Sequence, residues 1–516
     1  MSDSIKLNLQ YVADKIKDDY KNWKNGDIVK IKTQTGTGKT YFIKNVLIPY
    51  IDEINSLKIY DSDLKVLILT NRVNLSRQIK RDLYNKYNLK IPKKVEELDK
   101  HKNIENITIM SYQNLNELVL NKSDYKIDYY DYIVADEIQY ILDDSWTGTT
   151  ETILDYLMSS KHSQSIKIFI SATMEQLDNI IDKADKNNEY EYDTNRDYSY
   201  LKPYIYSKQG QLISQIVNDK TNNKWIIFVA SIQKGRELLK ELKNNNIDVT
   251  MIYRGCKNKK AKEELNNIVI NEKFNSKVLI TTKLLDNGIN ILDDKVKNIV
   301  INSWDKINLI QSIGRVRFKD IKKAYKINLY LDIKTNKQFS AKIQSIDNHL
   351  RYFELLKSDK EAFNKKYRNK INTLPNGIHL DENNNFIFDK VTYGNLKKSK
   401  LYLEKIKDNF NSNTYTDMQL NYLGIKQKPI NLNTMEHKQI ADKLKEYIES
   451  LIDNTLNKEQ QKELIETIGL KDNRNRLQKS YGIINQYLEK NYNVTIEKSR
   501  IRQNGKQITI WKIKNK

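Results

Sequence analysis

Ten short segments, apolar along most of their length, fall into two series separated by helical stretches. The first series is Ile28–Ile31, Val66–Leu69, Ile107–Met110, Tyr132–Ala135 and Ile166–Ile170. The second series is Trp225–Val229, Asp248–Tyr253, Lys277–Thr281, Val296–Ile301 and Ile327–Leu331. Strands buried on both faces of a parallel sheet are apolar throughout, whereas strands with one wet face alternate. The sequence therefore predicts an α/β fold with two lobes in tandem, each built on its own parallel sheet.

The chain has 516 residues, too many for a single hydrophobic core. We expect the first lobe over residues 1–180 and the second over 197–335, joined by the polar stretch Asp182–Arg196. Helical patterns dominate after residue 335. They predict a mainly helical accessory region over 336–457, with a hairpin at Gly377–Asp389, and a compact unit over 458–516.

Lys and Arg number 88 against 66 Asp and Glu, a formal net charge of +22. This surplus favours a polyanionic partner, because cations along phosphates release condensed counterions. An AT-rich genome favours Lys codons whatever the function, so charge alone does not identify nucleic acid. The single Cys256 excludes intramolecular disulfides and thiolate-rich metal centres. With no signal-peptide core and no apolar stretch of about 18 residues, we expect no membrane partner and a cytoplasmic or other intracellular location.

A glycine-containing loop lies between the first strand and a helical segment. Its residues are Thr33, Gln34, Thr35, Gly36, Thr37, Gly38, Lys39 and Thr40. A loop between strand and helix aims backbone N–H groups at phosphate oxygens, and the glycines allow close approach. We expect Lys39 to neutralise the β- and γ-phosphates of ATP and the Thr40 hydroxyl to ligate Mg²⁺. The usual pattern opens with glycine or alanine, where this chain has Thr33.

A pair of acidic residues follows the fourth strand of the first series. Asp136 is placed to hold Mg²⁺ at the carboxyl edge of the sheet, and Glu137 is placed to orient and deprotonate the attacking water. An acidic pair after a strand is usually a solvated strand end. Its position downstream of a phosphate loop favours the catalytic interpretation.

The phosphate loop and the acidic pair together resemble those of the superfamily 2, DEAD/DEAH-like helicases. The acidic motif ends in Gln139, so its sequence is neither the DEAD box nor the DEAH box after which the family is named. Shorter matches follow in the family's order: Leu69–Arg72 with Gln78, Ser111–Gln113 and Ser171–Thr173. The resemblance implies that Thr70, Arg72, Gln78, Tyr112 and Gln113 contact nucleic acid. It also implies that Ser171 and Thr173 couple hydrolysis to strand movement.

The second lobe carries matches as well. Gln311–Arg317 resembles the family's Q-x-x-G-R motif, which implies that Gln311 contacts ATP and that Arg315 is the arginine finger. Phe318 stands where the family often has its last arginine, so Arg317 is expected to substitute as a nucleotide contact. The remaining implied contacts are Arg254 with the strand backbone, Thr282 with a phosphate, and Gly288 and Asn290 with the nucleotide.

The resemblance implies that the two lobes are RecA-like and that the protein is an ATP-dependent helicase or translocase, with DNA favoured over RNA as its substrate. An RNA helicase is the alternative, although no adenine-reading glutamine motif precedes the loop. A clamp that binds nucleic acid without hydrolysing ATP is disfavoured, because a protein without ATPase activity would tolerate the loss of the catalytic residues that this chain retains. A translocase subunit of a defence or restriction system also stays open. The Asn287-Gly288 sequence resembles that of helicases from phages and mobile elements of low-GC bacteria. This resemblance would imply protein partners of a replication or mobile-element system.

The C-terminal unit is predicted to be winged-helix-like. Leu477, Tyr481, Ile484 and Leu488 share one helical face. Val494–Glu497 and Arg500–Gln503 are predicted strands, and Asn504-Gly505 suits a type I′ turn into a returning strand at Gln507–Ile513. Arg500 and Arg502 on this hairpin are candidate nucleic-acid contacts. A basic domain that only braces the motor is the alternative.

Overall fold

The computed structural model describes residues 5–70, 73–92, 97–120, 128–139, 141, 150–174, 186–282, 290–304, 306–374, 377–381, 383–408, 411, 414–471, 476–503 and 506–516. The chain divides into two compact units, Met1–Pro429 and Ile430–Lys516. Within the described ranges, no helix combines the length and apolar character needed to cross a membrane.

The first half of the larger unit is built on a seven-stranded sheet. The sheet contains β2 (Ile28–Lys32), β3 (Val66–Leu69), β4 (Asn103–Ile104), β5 (Ile107–Met110), β6 (Tyr132–Asp136), β7 (Ile166–Ser171) and β8 (Glu189–Asp193), and the short strand β1 (Ile5–Lys6) precedes them in the chain. The sheet order is β4–β5–β3–β6–β7–β2–β8, with β1 outside it. All neighbours are parallel except β4 and β5.

Both faces of this sheet are buried. Val29 and Ile31 of β2 belong to the core on one face, and Ile28 belongs to the core on the other. Successive strand residues point to opposite faces, so a sheet covered on both sides needs apolar residues at nearly every position. The helices here are α1 (Val12–Ile16), α2 (Lys39–Phe42), α3 (Ile48–Ser56), α4 (Val73–Lys86), α5 (Glu97–Lys100), α6 (Tyr112–Leu120) and α7 (Thr150–Leu157). A π-helical turn, Ile43–Leu47, joins α2 to α3.

A buried histidine lies near the end of the sheet opposite the phosphate loop. The His162 ring is stacked 6.0 Å from that of Tyr129 and meets Tyr156 edge-on at 4.7 Å. Its Nδ1 is 3.2 Å from the Ser165 hydroxyl. Burial lowers the pKa of His162 to about 4. The imidazole is therefore held in its neutral form.

The second lobe repeats the architecture. Its strands are β9 (Leu201–Tyr206), β10 (Lys224–Phe228), β11 (Val249–Ile252), β12 (Val278–Thr281), β13 (Val296–Ile301), β14 (Lys323–Ala324) and β15 (Ile327–Asp332). Six of them follow the order β11–β12–β10–β13–β15–β9 and pair in parallel. The remaining strand, β14, pairs antiparallel with β1. The helices are α8 (Gln209–Asn218), α9 (Ile232–Asn244), α10 (Lys259–Asn271) and α11 (Lys306–Ile313). The prediction of two tandem parallel-sheet lobes is confirmed.

The predicted linker is partly a strand. β8 lies inside Asp182–Arg196 and pairs with β2 along the edge of the first sheet. The first sheet therefore extends beyond residue 180. A polar strand was missed because an edge strand covered on one side lacks the apolar signal of central strands. The crossing between the lobes is shorter than predicted and runs from Thr194 to Tyr200, between β8 and β9.

A helical region completes the larger unit. Its elements are α12 (Asn336–Ser358), α13 (Lys360–Tyr367), β16 (Ile378–Leu380), β17 (Phe386–Phe388), α14 (Lys390–Asp408) and α15 (Thr414–Tyr422). β16 and β17 pair antiparallel at the predicted hairpin. Phe353 of α12, Phe363 of α13 and Phe386 of β17 are buried in one cluster.

The smaller unit begins earlier than the predicted residue 458. Its elements are β18 (Ile430–Asn431), α16 (Leu432–Ser450), β19 (Thr455–Leu456), α17 (Lys458–Ile468), α18 (Tyr481–Tyr492), β20 (Val494–Gln503) and β21 (Lys506–Asn515). α16 belongs here because Ile448 is buried with Leu456, Ile484 and Trp511. The antiparallel sheet has the order β19–β21–β20.

Two details of this unit differ from prediction. Leu477 precedes α18 and bridges to Lys471, so it does not share the helical face of Ile484 and Leu488. The two predicted strands are one continuous strand, β20, because its pairing with β21 runs without a break. The predicted turn residues Asn504 and Gly505 lie outside the described residues.

Candidate nucleotide and nucleic-acid sites

The carboxyl edge of the first sheet gathers the predicted motifs. β6, β7 and β2 are adjacent and parallel, so the segments that follow them emerge side by side. Asp136 ends β6, Ser171 ends β7, and the phosphate loop follows β2. Crossover connections in parallel sheets bring distant segments to one edge in this way, and ligands bind there.

The phosphate loop has the backbone shape that its glycines permit. Gly36 and Gly38 have φ angles of 95° and 83°, in the left-handed region that side chains disfavour. Gly38 is the N-cap of α2, which runs through the π-helical turn into α3. The Thr37 hydroxyl donates to the carbonyl of Gln34 at 2.8 Å, closing the loop on itself. The backbone N–H groups of the loop are thus presented at the start of a helical segment, where anions bind.

Lys39 meets the acidic pair inside the cleft. Its Nζ hydrogen-bonds to the Glu137 carboxylate and lies 3.8 Å from Oδ1 of Asp136. Gln139 donates from Nε2 to Glu137 at 2.5 Å. Glu137 has a φ of 52°, a conformation that costs free energy for a residue with a side chain. Such strain at a buried carboxylate is typical of a functional site.

Tyr112 is placed differently from expectation. Only 1% of it is exposed, and its hydroxyl donates to the carbonyl of Asp136 at 2.9 Å. Burial, with Asp136 and Glu137 nearby, raises its pKa well above the usual range. The predicted contact of Tyr112 with nucleic acid is therefore corrected: the side chain is buried in the first lobe, where its hydroxyl holds the end of the strand that carries Asp136. The neighbouring Gln113 is half-buried in the first turn of α6.

The Ser171–Thr173 segment lies directly against the phosphate loop. The Ser171 carbonyl accepts the N–H of Thr33 at 3.0 Å, and its hydroxyl accepts the N–H of Thr173 at 2.8 Å. Both side chains are buried. This segment therefore touches the loop that would hold the nucleotide, which is the geometry that its predicted coupling role requires.

The second lobe closes the cleft from the other side. A Cβ added to Gly314 would lie 2.1 Å from Oγ1 of Thr35, and one added to Gly36 would lie 2.6 Å from Nη1 of Arg317. Arg317 donates from Nε to Oδ1 of Asn290 at 3.3 Å. The cleft has a volume of about 930 Å³, and its walls include Lys39, Thr40, Asp136, Asn290 and Arg317.

The two arginines of the Q-x-x-G-R segment occupy different environments. Arg317 lines the cleft beside the phosphate loop. Arg315 is 1% exposed, and the cleft-lining residues do not include it. Gln311 is also buried, on α11. In this conformation the guanidinium that reaches the loop is that of Arg317.

The predicted nucleic-acid contacts are spread along both sheet edges. Thr70 is buried after β3, where its N–H donates to Met110 at 3.1 Å. Gln78 of α4 is exposed and lines the nucleotide cleft. In the second lobe, Arg254 is exposed after β11 and Thr282 is half-buried after β12. Arg72 and Gly288 lie outside the described residues.

The hairpin of the smaller unit carries the remaining candidates. Arg500 and Arg502 are exposed on β20. They lie on the same side of the strand as the buried Val494 and Ile496, further towards the tip. Lys498, between them, has its Nζ 5.6 Å from the ring centre of Tyr481 at the start of α18.

No role was predicted for Gln34, Thr194 or Asp197. Asp197 donates its N–H to Oε1 of Gln34 at 2.9 Å, and Thr194 donates its hydroxyl to Thr33 at 2.9 Å. More than 150 residues separate these partners in the chain. No local pattern signals such contacts.

Two family matches cover most of this architecture. Residues 17–180 match the DEAD/DEAH box helicase family, and residues 207–319 match the helicase conserved C-terminal domain. Together they span more than half of the chain. A phosphate loop, an acidic strand end and a facing arginine between two such lobes define a nucleic-acid-dependent ATPase. The chain belongs to the superfamily 2 helicases.

Solved structures with similar folds include S. cerevisiae Dbp5 bound to RNA and ADP BeF3, with 18% identity, coverage of 62% of this chain and 83% of that chain, and a TM-score of 0.42. Mss116p bound to ssRNA and AMP-PNP has 19% identity, coverage of 69% and 81%, and a TM-score of 0.42. A DEAD box protein from Methanococcus jannaschii has 16% identity, coverage of 64% and 89%, and a TM-score of 0.37. No curated protein matches the chain. At these TM-scores the structural similarities add nothing to the family assignment.

Proposed function

We propose that the protein is an ATP-driven helicase or translocase that acts on DNA. One observation carries the proposal: Lys39, Asp136 and Arg317, from three separate segments and both lobes, line a single cleft. A cleft between two lobes lets strand binding control how closely the arginine approaches the phosphates. That arrangement links ATP turnover to movement on a strand.

Each cleft residue has a role that its position supports. Lys39 would bind the β- and γ-phosphates, and Glu137 would accept the proton of the attacking water. Thr40 and Asp136 would hold Mg²⁺, which supplies charge neutralisation to the transferring phosphoryl group. Their hydroxyl and carboxylate oxygens suit that hard cation, which proteins usually bind through one or two carboxylates plus substrate phosphates. Over the described ranges, no cluster of three or more acidic, His or Cys ligands offers a stronger site.

Arg317 is the better candidate for the arginine finger in this conformation. It lies against Gly36, whereas Arg315 is 1% exposed and does not line the cleft. A finger must reach the charge that develops on the phosphoryl group, and of the two arginines in the Q-x-x-G-R segment it is Arg317 that borders that space. Asn290 orients its guanidinium, and Gln311 supports the segment from α11.

The preference for DNA is supported by the smaller unit. After β18, its order is helix, strand, helix, helix and hairpin, and β19 lies beside β21 in the sheet. This is the order of a winged-helix module, in which a helix and a basic hairpin share one face. Arg500 and Arg502 project from the hairpin on the side of α18, where they would pair with phosphates. Gln113, Arg254 and Thr282 would contact the strand at the sheet edges of the lobes, whereas Thr70 is buried in this conformation, as Tyr112 is.

The test is the ATPase rate with single-stranded DNA, duplex DNA and RNA, together with binding of each at several salt concentrations. Replacing both Arg500 and Arg502 by Ala should flatten the log–log salt slope for duplex DNA by about 1.8, at about 0.9 per phosphate contact. The double replacement of Lys512 and Lys514 is the matched control. It removes equal charge from the opposite face of the hairpin.

Three outcomes are distinguishable. Stimulation by DNA with the expected slope change supports the proposal. Stimulation by RNA alone establishes the alternative, an RNA helicase. An ATPase that no nucleic acid stimulates contradicts both.

A further inference from the structure

The described chain begins with a segment that spans both lobes. β1 pairs with β14, and the N–H of Leu7 donates to the carbonyl of Lys322 at 2.9 Å. Leu7 and Leu9 are buried in the core of the second lobe. Five residues after Leu7, Val12 is buried in the core of the first lobe. We name Ile5–Val12 the strap.

The strap ends on the phosphate loop. The N–H of Val12 donates to the carbonyl of Thr37 at 2.9 Å. A Cβ added to Gly38 would lie 3.4 Å from the ring of Tyr11, so this ring is in van der Waals range of the loop. One end of the strap is therefore bonded to the second lobe, and the other is bonded to the loop itself.

The crossing between the lobes is hydrogen-bonded both to the strap and to the start of the phosphate loop. Thr194 donates its N–H to Lys32 at 3.0 Å and its hydroxyl to Thr33 at 2.9 Å, and its carbonyl accepts from Gln10 of the strap at 3.1 Å. β8 delivers Thr194 to this place because it runs parallel to β2, and both strands end at the root of the loop. Thr194 is fully buried.

Asp197 is the second junction. Its Oδ2 accepts the N–H of Asn8 at 2.7 Å, and its own N–H donates to Oε1 of Gln34 at 2.9 Å. Its Oδ1 accepts the N–H of Ser199 at 2.9 Å. Burial alone would raise the pKa of Asp197, but the hydrogen bonds from Ser199 and Asn8 hold the pKa below its usual range. The carboxylate thus ties the strap to the crossing, and the backbone N–H of the same residue ties the crossing to the loop.

We infer that the strap and the crossing Thr194–Tyr200 form a clasp that positions the phosphate loop, with Thr194 and Asp197 as positioning residues. Neither residue reaches the nucleotide directly. Thr194 acts on Thr33 through its hydroxyl, and Asp197 acts on Gln34 through its backbone N–H while its carboxylate holds the strap; Thr33 and Gln34 precede the glycines of the loop. Because the strap is anchored in the second lobe, the clasp also sets the loop in register with the face that carries Arg317. The inference rests on the proposed ATPase function.

The test replaces Asp197 with Ala and measures KM and kcat for ATP at saturating nucleic acid. The change removes the carboxylate bonds to Asn8 and Ser199 and keeps the backbone bond to Gln34, so it loosens the strap against the crossing. Because the loop behind them binds ground state and transition state alike, KM should rise about fivefold and kcat should change less than twofold. Thr194→Val, which removes only the hydroxyl bond to Thr33, should act in the same direction. Adding Thr194→Val to Thr33→Ala should raise KM no further than Thr33→Ala alone, because that change already removes this bond together with the contacts of the Thr33 hydroxyl with Gln34 and Thr37.

Asp193→Ala is the matched control. Asp193 makes the same kind of local turn, accepting the N–H of Asn195 at 2.8 Å, but its carboxylate has no described bond to the strap or the loop. Thermal unfolding of each variant separates positioning from bracing. A KM for Asp197→Ala equal to that of Asp193→Ala would overturn the clasp, as would a drop in kcat at constant KM. Wild-type protein without nucleic-acid-stimulated ATPase would instead contradict the proposed function, and an ATP analogue would still report on the loop.

Discussion

Gly314 of the second lobe lies against Thr35 of the phosphate loop, and replacing Gly314 with Ala tests whether this close contact between the lobes matters. The added Cβ would lie 2.1 Å from Oγ1 of Thr35 and 2.8 Å from both Cβ and Cγ2. Thr35 is β-branched, so it has few rotamers with which to avoid the contact. The φ of Gly314 lies outside the left-handed region, and Ala therefore brings no backbone strain of its own.

The size of the effect follows from these distances. Ordinary van der Waals contact begins at 3.4 Å, so the lobes or Thr35 must give way by about 1.3 Å, from 2.1 to 3.4 Å. A misplacement of about 1 Å at a catalytic site costs about 100-fold in rate. We expect Gly314→Ala to lower the nucleic-acid-stimulated kcat by about that factor. Binding of an ATP analogue to the first lobe should change little.

The control is Gly210→Ala, also in the second lobe, where an added Cβ meets nothing within 4 Å. Thr35→Ala in the Gly314→Ala background should recover part of the rate, because it removes two of the three close atoms. A stimulated kcat for Gly314→Ala within threefold of the Gly210→Ala value would refute the argument that lobe closure at this point limits turnover.

Three further predictions concern single residues. Lys39→Ala should weaken ATP binding and hydrolysis together, whereas Glu137→Gln should retain ATP while turnover stalls; equilibrium binding and single-turnover assays separate the two. Arg317→Ala should lower kcat by about 10³-fold at nearly constant ATP affinity, and by more than Arg315→Ala does in a folded variant. The pKa of His162 is about 4 in the folded protein and 6.5 for the free side chain. As the pH falls below about 6.5, the unfolded chain therefore binds a proton at this residue before the folded protein does, which favours unfolding. Stability should therefore fall by about 3 kcal/mol from pH 6.5 to 4, measured by denaturant unfolding, and His162→Phe should remove this dependence.

The central strands could be predicted because burial on both faces of the sheet requires apolar residues at nearly every position. β3, β5 and β13 occupy the predicted positions, and the other predicted strands shift at their ends by one or two residues. β8 and β9 escaped prediction. β8 is rich in Glu and Tyr because it forms an edge, and β9 contains Pro203, which usually argues against a strand interior. Periodicity reports burial, so it fails where burial is partial.

The candidate site divides along similar lines. Lys39 and Asp136 follow buried strands within recognisable local patterns, and parallel topology then requires their meeting at one edge. The different positions of Arg315 and Arg317 could not be read from the sequence, because two residues near the end of a short helix differ only in how the chain turns. The burial of Tyr112 was equally hidden, since a tyrosine after a strand suits a surface as well as a core.

The boundary of the smaller unit shows a third limit. α16 has a helical pattern that is equally compatible with the region before it and the unit after it. Its assignment depends on Ile448 packing with Leu456 and Trp511, which lie later in the chain. Helix type is a local property, whereas membership of a core is not.

The pairing of β1 with β14 has a consequence for the order in which the protein can fold during synthesis. The first sheet is complete once β8 has emerged, but Leu7 and Leu9 must wait for roughly 130 further residues before their partners in the second lobe exist. At about 5–20 residues per second, that delay is roughly 7 to 26 s. During it, two apolar side chains next to the phosphate loop are exposed to solvent and to chaperones. The nucleotide site should therefore be among the last parts of the larger unit to mature, although its sequence is synthesised first.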